Sequence, residues 1–272
     1  MTPQPAEAFD DDPADAAVAA RDDEQAAAAR VSAACALVRP TRPELAGFCQ
    51  AFYAGAPPED TARYAPESLA ALANFAFDLS AVRKPGETLI ELFELRPQEG
   101  DHTLGETVFL AVNDDMPFLF DSLMGELAAQ NIRAHALFHP VVPVRRDANG
   151  VRGQAGAPIR ESMIVLVLDP VLDEERKKAL VRGAGNVFAQ VGLAVRDWRR
   201  MLARLKETIT DLGRNPPPVS REDLDESIAF LEWLGDNHFT FLGCRDYAFG
   251  DADGGRLEPI AESGLGLLSD TA

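Results

Sequence analysis

The sequence predicts an α+β protein built around a four-stranded antiparallel sheet with two helices on one face. Two observations predict this class. Runs rich in β-branched and aromatic residues alternate with amphipathic helical runs between residues 106 and 198. Alanine-rich and helix-forming segments precede and follow that region, so part of the helical content is segregated from the strands.

The sequence of the first 85 residues predicts a disordered tail followed by a helical layer. Residues 1–14 are rich in Pro, Ala and Asp, have little apolar surface to bury, and are predicted to be disordered. Residues 15–85 form an N-terminal helical segment in which Thr41 is the expected N-cap of a helix, with Pro43 in its first turn. A later helix has apolar residues at helical spacing, namely Leu69, Leu72, Phe75 and Leu79.

Residues 86–200 predict the sheet domain. A β-rich run at 88–95 is followed by strands and helices in the order β-α-β-β-α-β, which is the ferredoxin-like arrangement. Pro140 and Pro143 place the far half of the second of these four strands at an edge or a bend. The strands are predicted at 106–113, 132–147, 161–169 and 193–198, and the helices at 116–131 and 173–192.

Beyond the sheet domain, residues 201–236 predict linker helices. A proline run at 216–218 ends the first of them, and Ser220 caps the second, with Asp223 near the capping-box position. Residues 237–272 contain another β-rich run and are predicted to open a further α+β domain.

Composition limits the function classes. The net charge is −18 and the pI about 4.6, so phosphate-rich partners would be repelled, and neither nucleic acid nor an anionic membrane is expected to bind. The three cysteines, Cys35, Cys49 and Cys244, lack CxxC spacing, which indicates reduced thiols. The N-terminus has no signal-peptide pattern and no run reaches the roughly 18 apolar residues of a membrane span, so a cytoplasmic location is expected.

Several residues could carry chemistry, and each has a structural interpretation. Gly183 and Gly185 resemble the start of a dinucleotide fingerprint, but they lie inside a helical pattern, which favours close helix packing. Asp114, Asp115 and Asp121 could hold Mg²⁺ or Ca²⁺, yet their spacing matches no EF-hand loop, and capping of the next helix is the favoured interpretation.

The remaining candidates also favour structural roles. His135 and His139 are predicted on one face of a strand, and no catalytic set with Ser, Cys or Asp follows from spacing. The pair at positions 161 and 162 is predicted at a loop–strand junction that hydrogen-bonds back to the first loop. Trp233 and His238 are predicted to be core and helix-end residues.

Five segments, taken together and in order, resemble the N-terminal region of the large bacterial NAD-specific glutamate dehydrogenases. They cover most of the chain from about Tyr64 onward, and the resemblance depends on their combination. They are VNDDMPFLFDSLMGEL, FHPVV, ESMIVLVLD, FLEWLGDNHFTFLGCRDYAF and SGLGLLSD.

The resemblance implies ACT-like domains, which are β-α-β-β-α-β units that often bind amino acids and associate within oligomers. Family members oxidise L-glutamate with NAD⁺ in domains that lie far C-terminal of this region. The resemblance therefore assigns no catalytic, cofactor or metal residue to this chain, and NAD only to the full-length enzyme. It places an effector against the loop after the first strand, which here consists of Asn113, Asp114, Asp115, Met116, Pro117 and Phe118.

Three hypotheses follow. The leading one is a regulatory and oligomerisation region whose partners are other domains and subunits of the same enzyme. In it, Asp114 and Asp115 cap the first helix, and backbone N–H groups near Phe118 hold the carboxylate of an amino-acid effector. The second is a purely structural assembly module that binds no small ligand. The third is a free-standing enzyme that uses the aspartates with a metal.

Overall fold

The computed structural model describes residues 13–95, 106–168, 173–250 and 255–269, with side chains from residue 21 onward. The predicted disordered tail falls on residues 1–12, which lie outside this part of the chain, and on the first two residues of a helix. The described residues form two compact units. The first unit consists of the residues up to Met116 and of residues 127–182. The second unit consists of residues 117–126 and of the residues from Gly183 onward.

Seven α-helices lie in the described part of the chain. Four of them begin at a proline, whose missing N–H has no helical partner to lose at that position. The prediction that Thr41 is the N-cap of the second helix is wrong. Its Oγ1 donates to Val38 O at 3.3 Å, and the N-cap position is Arg42. The helices are α1 (Pro13–Val38), α2 (Pro43–Phe52), α3 (Pro58–Ala62), α4 (Pro66–Leu79), α5 (Leu119–Ala129), α6 (Glu174–Arg214) and α7 (Arg221–Trp233).

Nine strands are present in the same described ranges. Five of them form one antiparallel sheet in the first unit, and four form two short ladders in the second. The sheet strands are β1 (Leu89–Leu95), β2 (Glu106–Asp114), β3 (Ala134–Phe138), β4 (Val141–Arg145) and β5 (Pro158–Leu168). The short strands are β6 (Gly243–Cys244), β7 (Tyr247–Gly250), β8 (Arg256–Pro259) and β9 (Leu265–Gly266).

The sheet has the order β1-β2-β5-β3, with β4 also paired to β5, and every pairing is antiparallel. Because β2 and β3 both run antiparallel to β5, they run parallel to each other with β5 inserted between them. α5 connects β2 to β3, so these elements form a split βαβ unit. The predicted α+β class and antiparallel sheet are therefore confirmed.

The helical layer and the sheet share one core in the first unit. Alternate residues of β2 and β5, such as Leu110 and Val165, contact a cluster that includes Phe52 and Leu69 of the N-terminal helices. Phe138 packs its ring against those of Phe52 and Tyr53, with centroids 5.9 and 5.2 Å away. The other face of β2 is buried as well, which explains why its sequence is a nearly continuous apolar run.

The predicted fourth strand at 193–198 is wrong. Those residues lie inside α6, a single helix of 41 residues. Val191, Ala194 and Met201 are buried at helical spacing, so a continuous buried stripe overrides the local preference of Val195 and Trp198 for a strand. The place beside β2 is taken by β1, the β-rich run that precedes the predicted domain core.

The second unit combines the larger part of α6 with α7 and the short ladders. Ser220 caps α7 as predicted: its Oγ accepts from Asp223 N at 3.1 Å and donates to the Asp223 carboxylate at 2.6 Å. Asp197 on α6 is buried, and its Oδ2 accepts from Gly266 N at 3.0 Å, which fixes β9 to the helix. None of the described helices combines the length and the apolar character needed to span a bilayer.

Candidate functional site

The loop predicted to hold an effector is shared between the two units. Asn113 to Met116 belong to the first unit, and Pro117 and Phe118 belong to the second. The two parts have different chemistry, since the first is polar and engaged in ion pairs and the second lines an apolar groove.

Asp114 and Asp115 form ion pairs and do not cap α5. Asp114 Oδ1 accepts from Arg83 Nη2 at 2.6 Å, and its Oδ2 accepts from Gly86 N at 2.9 Å. Asp115 Oδ2 accepts from Arg160 Nε at 3.0 Å. The predicted capping role is therefore wrong, because both carboxylates are directed to other segments. They fix the end of β2 to the segment before β1 and to β5.

A buried ionic cluster lies next to Asp114. The Glu161 carboxylate accepts from Arg83 Nε and Nη2 at 2.9 and 2.6 Å, and from Arg146 Nε and Nη2 at 2.6 and 2.8 Å. All three side chains are 1% exposed. Two guanidinium groups therefore face one buried carboxylate, with the half-buried Asp114 as the second anion. Such a cluster is stable only if its remaining donors are also satisfied.

Backbone carbonyl groups accept hydrogen bonds from the remaining guanidinium donors. Arg83 Nη1 donates to Glu87 O at 2.7 Å, while Arg146 donates to Gly150 O at 2.8 Å and to Ser80 O at 2.9 Å. Gly150 has φ +81°, and an added Cβ would lie 2.7 Å from Arg83 O, so only glycine fits this turn. The cluster thus joins the end of α4, the loop after β4 and the start of β5.

A polar patch lies on the two central strands of the sheet. Asn113 is 3% exposed and lies opposite Ser162 in the β2–β5 register. Thr88 Oγ1 donates to Asn113 Oδ1 at 2.6 Å, and Asn113 Nδ2 is buried without a hydrogen-bond partner among the described residues. Ser162 Oγ lies 2.9 Å from His139 Nε2, in the break between β3 and β4. The prediction for positions 161 and 162 is wrong: both residues lie inside β5, which begins at Pro158, and the Glu161 side chain bonds to Arg83 and Arg146, which lie outside the loop after β2.

Pro117 and Phe118 line an apolar groove that lies entirely within the second unit. A cavity of about 440 Å³ is bounded by these two residues, by α6 and by residues 235–242. A neighbouring cavity of about 390 Å³ shares Phe118, Ala194, Thr240 and Leu242 with it, and the two cavities are together called the groove. Its large apolar lining residues are Phe118, Val187, Val191, Val195, Trp198, Leu202, Phe239, Phe241, Leu242 and Leu267.

Two residues of this groove adopt the left-handed backbone conformation. Phe118 has φ 71° and Asn237 has φ 57°. For a bulky residue such as Phe this conformation is an outlier that the surrounding structure must hold in place. Such outliers concentrate at ligand sites and other functional positions, which marks the groove as a candidate site.

The groove carries no charged side chain in its described lining. Its polar side chains are those of Ser122, Gln190, Asn237 and Thr240. Arg199 is not a lining residue, but its guanidinium lies 5.5 Å from the centre of the ring of Trp198, which is one, and it forms no ion pair with the residues described here. An apolar groove with a few polar groups and one available cation is a typical small-molecule site.

Most of the other candidates have structural roles, but Trp233 is 47% exposed, so its prediction as a core residue is wrong. Gly183 and Gly185 lie inside α6 and follow no strand directly, which is incompatible with a dinucleotide fingerprint. His238 Nδ1 lies 3.0 Å from Trp233 O, and the two rings stack with centroids 4.8 Å apart. Within the described ranges, no three His, Cys, Asp or Glu side chains are grouped as a metal site would require.

The split βαβ sheet and the loop after its first strand define an ACT-type α+β domain. Comparison with known families agrees. The family model described as "Glutamate dehydrogenase, ACT1 domain" matches residues 48–184, and this chain belongs to that family.

Two curated relatives show how the match extends. The chain is 35% identical over 183 residues to an NAD-specific glutamate dehydrogenase of Pseudomonas aeruginosa, covering 64% of this chain and 11% of that protein. It is 29% identical over 236 residues to the enzyme of the same name from Halomonas elongata, covering 83% of this chain and 14% of that protein. The chain therefore corresponds to an N-terminal region of this family and to a small share of these relatives' length.

Proposed function

We propose that this chain is a regulatory and assembly region of an NAD-specific glutamate dehydrogenase and that it binds an amino-acid effector. The full-length enzyme would convert L-glutamate, NAD⁺ and water to 2-oxoglutarate, ammonium, NADH and a proton. NAD would bind to another part of that enzyme, and this region would have no dehydrogenase activity by itself. Its partners would be other domains and subunits of the same enzyme, in the cytoplasm.

One observation carries the effector proposal. Pro117 and Phe118, the last two residues of the loop where the family resemblance places an effector, line the groove of the second unit. The same groove is lined by residues 239–242, which belong to a second segment that carries the resemblance. Two segments that are distant in the sequence therefore meet at one apolar cavity of a size suited to a small ligand.

A second candidate function is supported by a different observation. The carboxylates of Asp114 and Asp115 are engaged by Arg83, Gly86 and Arg160, so neither is available to hold the ammonium group of an effector. This favours a purely structural module, in which the ionic cluster stiffens the sheet for assembly and no small ligand binds.

Calorimetric titration with each of the twenty amino acids separates the two functions. Under the effector proposal at least one amino acid binds, and Phe118→Ala weakens its binding, whereas Asp115→Ala, which removes an exposed ion pair, leaves it unchanged. Circular dichroism of both variants checks that they fold. Absence of binding by all twenty would support the structural module, and sedimentation would then test its assembly.

A further inference from the structure

We infer that the groove binds a carboxylate that carries a branched aliphatic or aromatic group, with the apolar group inside the groove and the carboxylate on Arg199. This inference rests on the proposed function and specifies the class of its effector. The ligand would be a large apolar L-amino acid or the corresponding 2-oxo acid, since both present the same carboxylate and apolar group.

The lining determines which part of the ligand enters. Trp198, Leu202 and Leu242 contribute apolar surface, and no charged side chain is available in the described lining to pair with a buried ligand charge. Transfer of an unpaired charge into such surroundings is strongly unfavourable, so acidic and basic side chains are excluded. An apolar side chain gains about 25 cal/mol for each Å² of surface that it removes from water.

The available cation determines the other end of the ligand. Arg199 lies beside the Trp198 ring and makes no ion pair in the described part of the chain, in contrast to Arg196 and Arg200, which both engage Asp197. A guanidinium group forms bidentate, charge-assisted hydrogen bonds with a carboxylate. Among these three arginines of α6, Arg199 is therefore the one whose charge is available to a ligand.

Polar groups in the groove provide for the ligand's remaining atoms. The side chains of Asn237 and Thr240 are exposed and make no hydrogen bond within the described residues. Both can accept a hydrogen bond from the ammonium group of an amino acid or donate one to the carbonyl oxygen of a 2-oxo acid.

The test is calorimetric titration of the full chain with L-leucine, L-phenylalanine, 4-methyl-2-oxopentanoate, L-glutamate and L-leucinamide, which lacks the carboxylate. We expect at least one of the first three to bind and L-glutamate not to bind. If only the 2-oxo acid binds, the natural ligand belongs to the 2-oxo acids. If L-leucine or L-phenylalanine binds, the natural ligand is an amino acid. Fluorescence of the Trp233→Phe variant, in which Trp198 is the remaining tryptophan, should change on binding.

Variants locate the site. Leu242→Asp places a charge in the groove wall and should abolish binding, whereas the matched control Leu257→Asp, at an equally exposed position outside the groove, should not. Arg199→Gln should weaken carboxylate binding by ~10-fold, the usual contribution of a charge-assisted hydrogen bond, and leave any binding of L-leucinamide unchanged. Leu242 and Leu257 are both more than half exposed, so the folded state should tolerate either change.

The outcomes distinguish this inference from the proposed function. Binding of L-glutamate or another polar amino acid, with none by the apolar ligands, would overturn the inference and leave an effector region. Binding of apolar ligands that is insensitive to Leu242→Asp and Arg199→Gln would overturn the site. Absence of binding by all twenty amino acids and by the 2-oxo acid would overturn both the inference and the effector proposal.

Discussion

The two units of this chain achieve order in opposite ways. In the first unit, three helices and a five-stranded sheet enclose one core, and the ionic cluster around Glu161 is itself buried. The large apolar side chains that it exposes among the described residues are few: Leu37, Phe75, Val82 and Val151. In the second unit, aromatic and aliphatic side chains such as Trp198, Phe239 and Phe249 are about half exposed or more.

This difference indicates which unit stabilises the chain and which unit is suited to binding. The strands of the second unit have two to four residues, which is too short to bury two faces, so its ladders depend on α6 for support. Apolar surface that stays exposed is available to a ligand or partner. The first unit is therefore expected to determine the chain's stability, and the second its recognition properties.

The largest expected effect is loss of packing in the first-unit core. Phe138→Ala removes a fully buried ring that packs on Phe52 and Tyr53, and it should lower the free energy of unfolding by ~3–5 kcal/mol in denaturant titration. The matched change in the second unit, Phe249→Ala, removes a ring that is 65% exposed and should stay within ~0.5 kcal/mol of the wild type. Equal losses of unfolding free energy in the two variants would contradict the proposal that the first unit determines the stability of the chain.

The next effect concerns the buried cluster. Glu161→Gln removes the charge that faces Arg83 and Arg146, and two buried guanidinium groups without a full counter-charge should lower the free energy of unfolding by ~3 kcal/mol. Asp115→Asn is the control, because it breaks the pair with Arg160, which is 72% exposed, and should cost at most ~1 kcal/mol. If Glu161→Gln costs no more than the control, the cluster does not stabilise the first unit.

A smaller effect is expected where the second unit joins β9 to α6. Side-chain hydrogen bonds from Arg196 and the N–H of Gly266 hold the pKa of Asp197 below its ordinary value. Asp197→Asn should lower the opening free energy of the Gly266 amide by ~1–2 kcal/mol, measured by hydrogen exchange, since a charge-assisted bond is replaced by a neutral one.

The same group predicts a pH dependence of definite sign. Because the folded-state pKa of Asp197 lies below the unfolded value of about 3.9, its stabilisation is fully present above that value and declines as the pH falls towards the folded pKa. The difference between wild type and Asp197→Asn in amide opening should therefore shrink below pH ~4. A difference that grows with acidity would show that the carboxylate is not the stabilising form.

The reactivity of the three thiols compares the two units without measuring the free energy of unfolding. Burial first, and then the neighbouring Cys35, raise the pKa of Cys49 far above its ordinary value, and both thiols are buried in the first unit. Burial raises the pKa of Cys244 as well, but this thiol of the second unit is only partly buried. At pH 8 a disulfide reagent should modify Cys244 alone, and Cys35 and Cys49 only after unfolding.

A Cys244→Ser variant is the control for the thiol experiment. It should lose the reaction of the native protein and keep two thiols that react in denaturant. Rapid modification of Cys35 or Cys49 in the native chain would mean that the core of the first unit opens readily.

Much of the fold could be predicted because local patterns carried it. The nearly continuous apolar run of β2, the cap of α7 at Ser220 and the helical stripe with Leu180 and Phe188 are all present. The error at 193–198 arose where a short run suited a strand, while the surrounding stripe of apolar residues suited a helix. The stripe prevailed because it buries one face of α6 from Leu180 to Met201.

The candidate site could be predicted only in part. The loop with Pro117 and Phe118 was identified, but its role as a groove wall depends on α6 and on residues 235–242, which lie far later in the chain. The partners of Glu161 were not predicted either, since Arg83 lies 78 residues away in sequence. A charged residue at the head of an apolar strand was the available signal, and it indicates a buried pair without identifying the partner.

The sequence by itself determined the class of the fold, most of its elements and the family, because periodicity, capping residues and motif order are local properties of the chain. Only the tertiary structure decided which carboxylates are engaged in ion pairs, which strand lies beside β2, and that an apolar groove forms around Phe118. The physical reason is that these features depend on contacts between distant segments, whose free energy exists only once the chain has folded.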